Sequence, residues 1–94
     1  MLAVYKYSLA EEEQPESVID IQAPANAYPL AVDWEFDRIV VFMLADNVQP
    51  SVIHRFYAFR TGQEFSADLG EIDYLDTVFY DDNLAYHIFY GGEQ

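Results

Sequence analysis

Residues 32–37, Val32-Asp33-Trp34-Glu35-Phe36-Asp37, alternate strictly between apolar and acidic side chains, and this alternation indicates the fold class. Successive side chains of a β-strand point to opposite faces of the sheet. The three apolar side chains are therefore expected on one face and the three carboxylates on the other. A strand with one apolar and one solvated face is typical of antiparallel sheets, because parallel strands are buried on both faces.

Short runs rich in aromatic and β-branched residues continue this pattern along the whole chain. Proline, glycine, asparagine or aspartate interrupts them about every ten residues, which is the spacing of antiparallel β proteins. Seven strands are predicted, at residues 2–9, 18–22, 30–36, 38–45, 51–60, 74–80 and 84–90. No long segment shows the 3.6-residue apolar repeat of an amphipathic helix. The sequence predicts an all-β fold, a single small antiparallel sandwich or partly open barrel of about six to seven strands.

Length and composition indicate one domain that spans residues 1–94. A chain of 94 residues suits one hydrophobic core, and 52% hydrophobic with 17% aromatic residues supplies the material for it. Cysteine is absent, which excludes disulfides and fits a reducing compartment. The longest apolar run, residues 39–45, is far shorter than the roughly 20 residues of a membrane helix. We therefore expect a cytoplasmic protein that does not bind membranes.

Charge is the strongest functional signal in the sequence. The chain has 17 acidic and 4 basic residues, a net charge of −13, and no basic residue follows Arg60. Direct binding of nucleic acid is disfavoured, because affinity for the phosphate backbone comes from lysine and arginine. A field of this sign attracts a basic protein surface, or a cation, over a long range. The alternative interpretation is that the charge only keeps a small protein soluble.

Two groups of carboxylates are the candidate binding residues. Same-face residues of a strand are about 6.6 Å apart, so a row of strand carboxylates can partly imitate the phosphates of a DNA strand. The alternative is that they form the ordinary solvated face of an amphipathic strand. The first group is Asp33, Glu35 and Asp37, and the second group is Glu71, Asp73, Asp76, Asp81 and Asp82.

Catalytic, cofactor and metal sites are not predicted. The two histidines, His54 and His87, lack a second ligand at the spacing of a metal site, and His87 is expected to bond to a neighbouring strand. No serine lies in a nucleophile-elbow pattern, and no carboxylate pair has surroundings suited to acid and base catalysis. Most tyrosines are expected to pack on strands. Arg60-Thr61-Gly62 is too short for a phosphate loop, although its arginine and amides suit local anion binding.

Several short motifs resemble a family of small tailed-phage proteins of unknown function. They are Lys6-Tyr7-Ser8-Leu9, Arg55-Phe56, Thr61-Gly62, Leu69-Gly70, Tyr74-Leu75-Asp76-Thr77 and His87-Ile88-Phe89, in this order. The resemblance implies a phage origin. It implies no catalytic or cofactor residues. Small acidic accessory proteins of phages often bind and inhibit a host enzyme.

The leading hypothesis is a phage-type accessory protein that binds a basic surface of a host protein and inhibits it as a partial DNA mimic. The nucleic-acid groove of a defence or transcription enzyme is such a surface, and the protein would then act in the host cytoplasm. The first alternative is a sponge that sequesters a small ligand in an aromatic-lined pocket of the β-domain. The second is a structural component that self-associates through an exposed strand edge such as residues 2–9.

Overall fold

Seven β-strands make up most of the chain, as the sequence predicts. The structure is a computed structural model that describes residues 1–10, 17–36, 38–81 and 84–94, apart from the side chains of Ala10, Tyr80 and Asp81. The strands are β1 (Leu2–Ala10), β2 (Val18–Pro24), β3 (Tyr28–Glu35), β4 (Arg38–Asp46), β5 (Ser51–Arg60), β6 (Asp73–Asp81) and β7 (Leu84–Glu93). Within the described ranges the only helical segment is a single 3-10 turn, Ala67–Leu69. The all-β fold class is confirmed.

Two antiparallel sheets form a sandwich. The three-stranded sheet has the order β1-β4-β3 and the four-stranded sheet the order β2-β5-β7-β6. The chain passes between the two sheets three times, from β1 to β2, from β2 to β3 and from β4 to β5. β3 and β6, the last strands of their sheets, lie close to each other at one side of the sandwich.

The core lies between the inner faces of the two sheets. On β4 every second residue points inward, and Ile39, Val41, Met43 and Ala45 are all buried. Phe56 of β5 and further aliphatic and aromatic side chains of β7 pack against them. The period-2 alternation of the sequence thus produces the apolar layer that holds the sheets together.

One buried polar residue, His54, lies within this core. Its side chain is fully buried, and both ring nitrogens have hydrogen-bond partners. Nδ1 lies 2.7 Å from the hydroxyl of Tyr90, and Nε2 lies 2.9 Å from the carbonyl oxygen of Pro24. A carbonyl oxygen only accepts, so Nε2 carries the proton and Nδ1 accepts from Tyr90. His54 therefore links β5 to both β2 and β7.

The outer face of the four-stranded sheet has an aromatic cover. The loop of residues 61–72 crosses this face, and the ring of Phe65 stacks on Phe59 with a centroid distance of 4.0 Å. Phe59 is buried although it points away from the core. Gln63 Nε2 donates a hydrogen bond of 2.7 Å to Ser17 Oγ, which fixes the start of the loop against β2. The long connection is thus packed on the sheet.

Candidate functional site

The first predicted carboxylate group is partly neutralised. Asp33 is exposed on the outer face of β3, next to the buried Val32, as the alternation predicts. Glu35 is half-buried, and its Oε1 accepts a hydrogen bond of 2.6 Å from Lys6 Nζ of β1. The sheet thus brings a lysine from a distant strand to Glu35, and this lysine offsets the charge of the candidate binding residue. Asp37 lies outside the described residues.

The apolar half of this alternation ends one residue earlier than predicted. Phe36 was expected on the buried face with Val32 and Trp34, yet it is 86% exposed. Glu35 pairs with Arg38 across the hairpin, so Phe36 belongs to the turn between β3 and β4. Its φ of 49° lies in the left-handed region. The turn removes Phe36 from the strand and turns its ring into solvent.

The second predicted group lies on β6 and on the loop before it. Glu71 and Asp73 are exposed. Asp76 is half-buried, because it pairs with the inward-pointing Ile88 of β7 at the edge of the sheet. Asp81 ends β6 without a described side chain, and Asp82 lies outside the described residues.

Two further carboxylates, Glu64 and Asp68, are exposed on the same loop and were not among the predicted binding residues. With Glu71, Asp73 and Asp76 they make up the acidic segment, which we define as these five carboxylates of residues 64–76. No ion pair joins any of them to a described basic group. The absence of lysine and arginine after Arg60 is the sequence signal for this segment.

Ion pairs of the described residues lie elsewhere on the molecule. Arg55 donates two hydrogen bonds to Asp20, of 2.8 and 3.0 Å, which fix β5 to β2. These bonds hold the pKa of the Asp20 carboxyl below its usual value. The N-terminal amine pairs with Asp46 at 2.8 Å and, together with the amide of Val48, lowers the pKa of that carboxyl. The three ion pairs of the described residues thus involve Asp20, Glu35 and Asp46, none of which belongs to the acidic segment.

A network of hydrogen bonds joins Thr61, Tyr74, Thr77 and His87. The hydroxyl of Tyr74 lies 2.6 Å from Thr77 Oγ1, which lies 2.9 Å from His87 Nδ1. His87 Nε2 lies 2.7 Å from Thr61 Oγ1. The predicted bond of His87 to a neighbouring strand is confirmed, because Thr77 is on β6. The network fixes the loop that begins at Thr61 to the outer side of β7.

A cavity of about 300 Å³ adjoins this network where β5 ends. Residues 60–63 form a turn in which the amide of Gln63 donates to the carbonyl oxygen of Arg60 at 3.0 Å. The Arg60 amide donates in turn to Gln63 Oε1, also at 3.0 Å. Arg60, Thr61, Gly62, Gln63, Leu84 and Ala85 line the cavity. The Arg60 side chain is exposed and makes no ion pair with a described residue, so its guanidinium is available to an anion.

A second cavity, of about 520 Å³, lies on the outer face of the three-stranded sheet. Lys6, Ser8, Glu35, Phe36, Arg38 and Val40 line it. The Lys6–Glu35 pair spans β4, and Val40 beneath it is buried although it points outward. Ser8 Oγ is buried and has no hydrogen-bond partner within the described part of the chain. This end of the face is polar.

The other end of the same face is apolar and open to solvent. Leu2, Val4, Tyr28 and Leu30 are 64%, 56%, 65% and 50% exposed. Phe42 and Leu44 of the central strand lie half-buried between β1 and β3. We call these six side chains the apolar face. The sequence signal for it is the run of residues 39–45, which is apolar at every position and so has no polar side.

Neither a cluster of metal-ligating side chains nor a membrane-spanning helix occurs in the part of the chain that the structure describes. No three histidine or acidic side chains among the described residues lie close enough together to bind a metal ion. No described helix has the length and hydrophobicity that crossing a membrane requires.

Comparison with known proteins identifies a family. The model of a family described as a domain of unknown function, DUF7352, matches residues 1–94. No curated protein and no solved structure matches the chain.

Proposed function

The chain belongs to the DUF7352 family, and we propose that it binds a basic surface of another protein through the acidic segment. The observation that carries the proposal is the concentration of five uncompensated carboxylates within residues 64–76. Exposed charges of one sign raise the rate of encounter with an oppositely charged partner.

The acidic segment is held in place by packing, which favours a binding role over simple solubility. Phe65 stacks on Phe59, and His87 bonds to Thr61 at the start of the loop and to Thr77 on β6. The carboxylates therefore lie on a structured loop and on the beginning of β6. An ordered surface loses less conformational entropy on binding than a flexible tail of the same charge.

The finer part of the proposal concerns the nature of the partner. If the chain is phage-encoded, as its motifs suggest, the partner is a host protein in the cytoplasm. A groove that binds nucleic acid is a basic surface of the required charge, so occupying it would inhibit the host enzyme. Asp33 of the first predicted group is exposed but lies outside the acidic segment, and the charge of Glu35 is offset by Lys6.

A pair of charge-matched variants tests this proposal. Glu71→Gln/Asp73→Asn and Asp33→Asn/Glu93→Gln each remove two carboxylates, which changes the net charge from −13 to −11. Immobilised wild-type and variant proteins are exposed to host lysate at low salt, and the bound proteins are quantified by mass spectrometry. We expect the first variant to capture much less of a specific partner than the wild type does, and the second variant to capture about as much as the wild type.

Salt provides the second readout. Raising the salt concentration from about 50 to about 500 mM should release the partner, because the Debye length falls several-fold. Binding that resists salt, or that falls equally in both variants, would contradict recognition through the acidic segment.

A small anion bound at residues 60–63 is the second candidate function. It is favoured by the exposed Arg60 guanidinium without a described ion pair, beside a cavity of about 300 Å³. This cavity is lined by polar and aliphatic residues, so it differs from the aromatic-lined pocket that the sequence suggested.

A thermal-shift assay with inorganic phosphate and a small dicarboxylate tests this candidate. A ligand of the native state raises the melting temperature by mass action. We expect the rise in the wild type and in Arg38→Gln but not in Arg60→Gln. Equal responses of all three proteins would indicate a general salt effect and exclude the site.

A further inference from the structure

We propose that the apolar face of the three-stranded sheet is a self-association surface, on which a second copy of this chain packs face to face. The proposal is independent of the acidic segment, which lies on the loop over the four-stranded sheet and on β6. It concerns the side chains Leu2, Val4, Tyr28, Leu30, Phe42 and Leu44.

The strand register makes Val4, Tyr28, Phe42 and Leu44 one continuous surface. Leu2 extends it beside Asp46, and Leu30 lies at the irregularity of β3 between Pro29 and Ala31. Leu44 of the central strand pairs with Val4 on one side and with Tyr28 on the other. Phe42, two residues along, pairs with Lys6 and Ala31. Directly opposed side chains in adjacent antiparallel strands lie about 4.5–5.5 Å apart at their Cβ atoms. No polar side chain interrupts the row of Val4, Leu44 and Tyr28.

The two outer faces of the sandwich differ in whether a segment of the chain covers them. The loop of residues 61–72 covers the aromatic outer face of the four-stranded sheet with Phe65. No described segment covers the apolar face, where four large side chains are at least half exposed. Contiguous exposed apolar surface on a soluble protein marks interaction sites.

Charge identifies the second copy as the occupant. The described outer face of the three-stranded sheet has two basic side chains, Lys6 and Arg38, and three acidic ones, Asp33, Glu35 and Asp46. Two minus three leaves a net charge of −1, against −13 for the chain. A basic partner would be drawn to the acidic segment, whereas two copies of an acidic protein repel least where each is nearly neutral.

Symmetry and area define the expected complex. A two-fold contact places the same patch of both copies together, so apolar surface meets apolar surface. The whole outer face of the three-stranded sheet has an in-plane area of roughly 400 Å², from spacings of about 4.8 and 3.3 Å, and the apolar face is one end of it. Stable interfaces bury about 800 Å² per partner, and smaller ones belong to weak complexes. We therefore expect a weak, reversible dimer.

Sedimentation equilibrium over a range of protein concentrations, at about 50 and about 500 mM salt, tests the proposal. We expect a monomer–dimer equilibrium that becomes tighter at high salt, because screening reduces the repulsion between two copies. This response is opposite in sign to that expected for a basic partner. Failure of either proposal therefore leaves the other intact.

Two matched variants locate the contact. Val4→Thr/Tyr28→Thr removes apolar surface from the apolar face without changing charge. Val18→Thr/Phe79→Thr makes comparable changes at exposed positions of the four-stranded sheet. We expect the first variant to weaken dimerisation at least tenfold and the second to leave it unchanged, with both folded by circular dichroism. A monomer at every concentration overturns the proposal and leaves the apolar face to a different protein. A dimer that persists in the first variant overturns it in favour of another contact, such as pairing through the edge of β1.

Discussion

Removing the hydroxyl of Tyr90 should destabilise the protein, because it leaves a buried nitrogen of His54 without a partner. The Tyr90 hydroxyl lies 2.7 Å from His54 Nδ1, and His54 is fully buried. Tyr90→Phe deletes only the oxygen. The ring contacts of residue 90, with a centroid distance of 5.1 Å to Phe56 and 6.0 Å to His54, remain.

The expected cost follows from this geometry. The other ring nitrogen of His54 is committed to the carbonyl of Pro24, so the ring cannot turn to satisfy Nδ1. An unsatisfied buried acceptor costs about 1–3 kcal/mol. For a domain of this length, about 1 kcal/mol lowers the melting temperature by roughly 4–8 °C. We therefore expect Tyr90→Phe to melt about 4–24 °C below the wild type.

Chemical and thermal unfolding, followed by circular dichroism, measure this loss. Tyr74→Phe is the matched control, because its hydroxyl bonds to Thr77 on an exposed part of the sheet, where the change should stay within about 0.5 kcal/mol. Burial, and then Glu93, raise the pKa of Tyr90. The stability contributed by its neutral hydroxyl is complete below about pH 10 and is lost as the pH rises through the folded-state pKa. The free energies of unfolding of the wild type and of Tyr90→Phe should therefore converge in strongly alkaline solution. Equal melting temperatures for Tyr90→Phe and Tyr74→Phe would refute the assigned role of His54.

Three further outcomes follow from the structure. Gly91→Ala should lower the free energy of unfolding in urea by about 1–3 kcal/mol, because the new Cβ would lie 2.7 Å from the ring of the buried Tyr57. In a Tyr57→Leu background this loss should be smaller. An unchanged loss would argue against the contact. Asp20→Asn should reduce the loss of stability on acidification, because Arg55 lowers the pKa of Asp20. The contribution of this carboxylate to stability is present above about pH 4 and is lost as the pH falls through the folded-state pKa. Acid titrations of the variant that coincide with those of the wild type would contradict this role. The melting temperature at pH 7 should rise with added sodium chloride, since a net charge of −13 repels itself; a flat titration would show that the carboxylates are well dispersed.

Local sequence patterns were sufficient to predict the strands. Period-2 alternation and turn residues act over a few residues, and all seven predicted runs coincide with observed strands. The ends were less predictable. Gly91 and Gly92 indicate a strand end, yet β7 continues to Glu93, where it still pairs with β5. Position 91 is a glycine within the strand because the ring of Tyr57 lies where a side chain would be. Such a requirement is visible only when two strands are adjacent.

The features of the candidate sites that the sequence did not predict depend on contacts between residues that are distant in the sequence. Exposure of Asp33, Glu71 and Asp73 follows from local polarity. The neutralisation of Glu35 by Lys6, 29 positions away, depends on strand order, which no local pattern specifies. The same holds for His87, whose partners Thr61 and Thr77 come from two separate segments.

The distribution of the four basic residues connects the candidate surfaces. Lys6 and Arg38 lie on the outer face of the three-stranded sheet, Arg55 fixes β5 to β2, and Arg60 lines the cavity at the end of β5. All basic side chains are therefore placed before the acidic segment begins, and half of them reduce the charge beside the apolar face. The side of the protein with the acidic segment therefore repels other copies of the chain, whereas the side with the apolar face repels them least. Low salt should favour capture of a basic partner and high salt self-association, so the two modes can be separated in a single titration.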